Sequence, residues 1–187
     1  MTQPGIPTWE PPVRGTDEEQ IVAALDRQRA TFRWKADGLD ADGLAHRVGV
    51  STLSLGGLLN HLAYIEDLTS THALDGEELD PAWGDPRVHD EWVRIFEPAL
   101  SPEELYARYD QAVARARART AQVLASGDMD QLVNLEDPER GRANLRRLLL
   151  DLLEEYARHT GHADLLRESV DGRTGEDPDE DWTPAWV

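Results

Sequence analysis

The segment LLEEYARHTGHADLLRESV, Leu152 to Val170, decides how the rest of the chain is read. Leu145, Leu148 and Leu152 recur at steps of three and four, and Leu166 continues the series. That is the period of one helix face. The spacing predicts a helix from about Arg142 to Val170, stopped by Asp171 and Gly172. Between its leucines the same stripe carries Glu155, then His159, then His162 or Ala163. The face is apolar at both ends and ionisable in the middle. A buried carboxylate is costly unless it is paired or bound to a cation. Glu154 and Arg158 fall off this face and form an i,i+4 pair worth a few tenths of a kcal/mol.

Three further helices are expected. Thr16 and Glu19 form a capping-box pattern ahead of Ile21, Val22, Leu25 and Phe32, and Gly38 is the stop. A second helix begins near Ser54, with Leu55, Leu58, Leu59, Leu62, Ile65 and Leu68 as its stripe. SPEE, Ser101 to Glu104, opens a third that runs to about Ser126, with Gly127 ending it. The connection between the first two is expected to hold at most a short helical turn. No strand pattern is evident. The reading is an all-α fold, a four-helix bundle. Residues 1–15 form a Pro- and Gly-rich arm, 16–173 the bundle, and 174–187 an acidic tail that Trp182 and Trp186 are suited to anchor. Residues 75–100 show no sustained period, and a connection this long is usually functional or has short structure of its own.

Composition narrows the function. The 187 residues carry a formal net charge of -18. Nucleic acid and anionic membranes reward basic clusters instead, so neither is expected as a partner. MTQPGIPTWEPP lacks an apolar signal core. No apolar run approaches the roughly 20 residues of a membrane span. A cytoplasmic protein is expected. There is no cysteine, so any metal must be held by His, Asp or Glu.

His61 follows Leu58 by three and precedes Ile65 by four, so it too lies on an apolar stripe. A bundle brings such faces together and His61 near Glu155 and His159. Two imidazoles and one carboxylate leave coordination positions open, as in catalytic metal sites. The spacing leaves two other arrangements open. His61, His159 and His162 form a rival triad, with His162 otherwise orienting a ligand. Alternatively the same residues form a buried polar network without metal. His46, His72 and His89 fall in connections and are read as solvated. Arg115, Arg117 and Arg119 are read mainly as a solvated face, and Trp83 and Trp92 as packing residues. The glycines of SLGGLL are read as permitting close packing.

LGGLLNHLAYIED (55–67) and LLEEYARHTGHADLLRESVDGRTGE (152–176) resemble the two signature segments of the DinB-like superfamily. WKADGLDADGLAHRVGVSTLSLGGLLNHL (34–62) is similar to the corresponding connection of its actinobacterial branch. That branch is related to the N-terminal domain of mycothiol-dependent maleylpyruvate isomerase. The resemblance covers most of residues 17–175. It implies a DinB-like bundle of up-down-down-up topology that binds a divalent metal, often zinc or nickel. Many members use three histidines, whereas the isomerase relative uses a His, Glu, His set. The latter matches His61, Glu155 and His159 and places His162 just outside the ligands. The resemblance further implies a low-molecular-weight thiol cofactor such as mycothiol, a small-molecule substrate, S-transferase or isomerase chemistry, and homodimerisation in some members. A non-catalytic metal-stabilised binding protein and a metal-dependent hydrolase are the alternatives.

Overall fold

Thr16 caps the first helix in both directions: its hydroxyl accepts from the Glu19 N–H, and its own N–H donates to the Glu19 carboxylate. Helix α1, Asp17–Ala36, follows and ends before Gly38, whose φ is +70°. Asp40 caps the short α2, Ala41–Ala45. Ser54 caps α3, Leu55–Leu68, which continues into a π-helical turn at Thr69–Ala73. A 3-10 turn at Pro81–Trp83 precedes α4, His89–Phe96. The Ser101–Glu104 capping box opens α5, Pro102–Ser126. Strands β1, Leu132–Asp137, and β2, Gly141–Asn144, pair antiparallel, with Leu132 opposite Asn144 and Asp137 opposite Gly141. Asn144 then caps α6, Leu145–Asp171, and Gly172 closes it in the left-handed conformation at φ +79°. This computed structural model describes residues 9–85, 88–179 and 182–187, with the backbone alone at Glu91.

The chain is therefore mostly helical, but it is not all-α. The hairpin corrects the expectation of helices alone, and α6 starts at Leu145 rather than near Arg142. The cause is burial. Val133 is the one buried residue of β1, while Leu132 and Leu135 are exposed, so the strand carries no inside-outside alternation to read. The 75–100 connection contains α4, short structure of its own as its length suggested.

Leu25 and Phe32 of α1, Leu58 and Leu62 of α3, Tyr109 and Val113 of α5, and Leu148, Leu152 and Tyr156 of α6 belong to one core. A buried polar knot ties these four helices together. Arg29 of α1 donates to both Glu66 oxygens of α3, at 2.6 and 2.7 Å. Tyr156 of α6 donates to Glu66 at 2.7 Å, and its hydroxyl lies 3.0 Å from that of Tyr109. Such a bidentate pair is directional, so it sets α3 against α1 and α6. Arg115 is exposed, as read, and pairs with Asp67, while Arg117 and Arg119 are only part-exposed and pair with Asp26 and Asp75. The two chain ends meet where Trp9 packs edge-on to Trp182, which donates to Asp37, and Trp186 packs on Tyr109.

Candidate metal centre

Helix α3 brings in His61, and α6 brings in Glu155 and His159, one turn apart. His159 Nε2 lies 3.3 Å and His61 Nε2 3.7 Å from the same oxygen, Glu155 Oε2. One ligand atom from each of the three residues lies within 4.8 Å of the others. Bonds of about 2.0–2.1 Å around a tetrahedral cation separate its ligand atoms by about 3.3 Å, so the His159–Glu155 spacing already matches. The fit has a second support. His61 is 4% exposed, and neither of its ring nitrogens has a hydrogen-bond partner. An unmet buried polar atom costs about 1–3 kcal/mol, and a cation is the kind of partner that relieves it.

Electrostatics favour neutral imidazoles. Burial pushes His61 down to about 3, with help from His159. Burial, His162 and Arg158 push His159 down to about 4. Both rings thus keep a lone pair at neutral pH, which ligation needs. His159 turns its other nitrogen, Nδ1, toward His162 Nδ1 at 3.3 Å. His162 therefore lies behind His159, away from the ring nitrogen that faces Glu155.

His61, Glu155 and His159 meet as their spacing predicts, but that spacing also predicts Glu155 on a buried face. The structure corrects that: the Glu155 side chain is 41% exposed, and the core position beside it belongs to Tyr156, fully buried. Leu152 plus one turn of 3.6 residues falls between 155 and 156, so the core takes one and the rim takes the other. His72 and His89 are exposed, as read. His46 is partly buried and bonds the Ser169 hydroxyl at 2.8 Å, which departs from a solvated reading.

The 75–100 connection, expected with Trp83 and Trp92 to be able to cover the site, supplies one wall of the centre. It does so through Trp92 and through Phe96, which the sequence did not single out for it. Phe96 stacks on the His61 ring at 4.5 Å and 21°, and Trp92 meets it edge-on at 6.1 Å. Both come from α4. Its short amphipathic pattern was the available signal, with Trp92, Ile95 and Phe96 at helical spacing. A separate cleft of about 930 Å³ lies between α1 and α5, lined by Val22, Ala118, Leu124 and Trp186, and includes no member of the triad.

The family model described as Mycothiol-S-transferase (MST) matches residues 20–172 of the chain. No curated protein matches it significantly.

Proposed function

Because the chain belongs to the mycothiol S-transferase family, we propose that it is a divalent-metal-dependent enzyme that joins a mycothiol-type thiol, through its sulfur, to a small electrophilic substrate. The observation that carries this reading is the convergence of His61, Glu155 and His159 on one point. These three residues would hold the cation, zinc or nickel, through two imidazoles and one carboxylate, a donor set that would leave room for the thiol. When bound, the cation lowers the pKa of that thiol so that it reacts as thiolate. The protein then needs no cysteine of its own.

The side chains divide the remaining work. His159 Nδ1 faces His162 Nδ1 at 3.3 Å, and a proton held between these two nitrogens on His159 leaves its Nε2 with the lone pair that ligation needs. His162 is thus a positioning residue. Glu66, clamped by Arg29 and Tyr156, holds α3 against α6 and so holds His61 opposite Glu155. Phe96 and Trp92 cover one side of His61. The charge of -18 turns nucleic acid and anionic membranes away. No described helix is long and apolar enough to cross a membrane, which fits the cytoplasmic reading. Within this proposal residues 16–173 are the functional domain, with the four long helices in the DinB-like up-down-down-up order. Residues 1–15 and 174–187 are then its arm and tail.

The test is thiol consumption with 1-chloro-2,4-dinitrobenzene, using metal-loaded and metal-stripped protein and a panel that includes mycothiol. A sulfur–carbon bond forms, chloride leaves with the bonding pair, and the thiol proton passes to solvent. Turnover is expected only with metal and only while all three residues are intact. Cleavage of ester or amide probes without thiol points instead to metal-dependent hydrolysis. Metal-dependent melting with neither activity points to a non-catalytic binding protein.

A further inference from the structure

Resting on the S-transferase reading, we propose that α4 is the acceptor-binding wall of this centre, set in place by Gly57 and Asn60, and that it takes a planar, apolar electrophile against Trp92. A helix of eight residues is not stable by itself, so something must hold α4. Its N-terminal part is open: Val88 is 48% and Trp92 39% exposed. Its C-terminal end is clamped to α3. Ile95 is buried, and its carbonyl accepts from the Asn60 amide at 2.9 Å. Arg108 donates to the Asn60 oxygen at 3.0 Å, which fixes the amide with its NH2 toward α4.

Gly57 completes the clamp. A Cβ at this position would lie 2.2 Å from the Phe96 carbonyl oxygen. The backbone of α4 therefore rests directly on α3, and any other side chain displaces it. Gly57 and Asn60 lie within the segment that leads to His61, so one stretch of helix places both the imidazole and the wall beside it. The wall stacks Phe96 on His61 and sets Trp92 5.5 Å from Phe96 and 6.4 Å from Tyr64.

A large aromatic ring left half open beside a reactive centre offers apolar contact area to a ligand. On the S-transferase reading the polar thiol would enter on the side of Glu155, whose side chain is 41% exposed. The acceptor must reach the same sulfur from another side, and the apolar side is α4. An electron-poor ring suits the indole face because aromatic pairs favour offset stacking.

The test uses an acceptor analogue that cannot react, 1,3-dinitrobenzene, titrated calorimetrically into protein loaded with cobalt, with 2-nitropropane as the non-planar comparison. Trp92→Ala is expected to weaken 1,3-dinitrobenzene binding about three- to tenfold while 2-nitropropane is unaffected. Trp92→Phe restores most of the affinity. Gly57→Ala keeps Trp92 but dislodges α4, so it gives the same loss. Cobalt absorption reports that the triad still binds metal in each variant. Should Gly57→Ala fold poorly, the two Trp92 variants decide. No binding of 1,3-dinitrobenzene to the wild-type protein, or equal binding by Trp92→Ala, overturns the proposal. Binding that depends on Trp92 without any thiol turnover keeps the wall and removes the transferase reading.

Discussion

His61 is buried with both ring nitrogens unpartnered, while His159 has one nitrogen engaged by His162 and the other near Glu155. That asymmetry separates a ligand from its support. Removing a ligand removes a bond to the cation, whereas removing an outer partner loosens a ring that still ligates. His61→Ala, Glu155→Ala and His159→Ala are each expected to weaken metal binding by more than about 100-fold. His162→Ala is expected to cost about 10-fold, at the low end for partners that orient a ligand. Competition with a chromophoric chelator measures both. A loss at His162 equal to that at His159, with none at Glu155, would transfer the site to the three-histidine set.

Helices α3 and α6 carry the triad, and the Arg29–Glu66–Tyr156 knot fixes their relation. Glu66 is fully buried, so truncating it leaves the buried Arg29 guanidinium with Asp26 alone of the two carboxylates that hold it. Glu66→Ala is expected to cost about 3 kcal/mol in urea unfolding, at the low end for a broken buried pair. Replacing both partners, Arg29→Met with Glu66→Leu, should recover most of that, because Asp26, the other carboxylate on Arg29, keeps Arg117 and no unpaired charge remains. Equal destabilisation by the single and double variants would refute the pairing argument. The same knot marks the limit of what the sequence discloses. Leu25, Arg29 and Phe32 follow each other at steps of four and three, as do Leu62 and Glu66 by four. Both charges thus sit in core register, a signal as strong as the one that singled out Glu155. Periodicity places a residue on a face but cannot name its partner across the core. It was decisive where the stripe was long and capped, as in α1, α3 and α5, whose starts at Thr16, Ser54 and Ser101 were legible. It failed for β1, whose side chains are mostly exposed, and for α4, held by contacts with α3 rather than by its own length.

The molecule as a whole should register the centre in its stability. In the stripped protein His61 and His159 resist protonation, with values of about 3 and 4 against an ordinary 6.5. The unfolded chain takes up those protons first. Stability from this source is therefore complete above about pH 6.5 and is lost as pH falls toward 4 and then 3. A cation that binds only the folded chain adds stability set by its concentration, about 2.7 kcal/mol at 100 times Kd. For a chain of this size that corresponds to roughly 5–10 °C in Tm, and acid removes it because protonated imidazoles cannot ligate. Glu155→Gln separates this account from a purely structural pairing. The Glu155 side chain is 41% exposed and approaches the two imidazoles at 3.3 and 3.7 Å, so its neutral isostere should cost the stripped protein little. Melting the wild type and Glu155→Gln with and without chelator at neutral pH gives four curves. A metal centre requires a chelator-dependent drop in the wild type, a much smaller drop in the variant, and nearly equal stripped values. A structural partner of His159 would instead leave the wild type indifferent to chelator and lower the variant in both conditions.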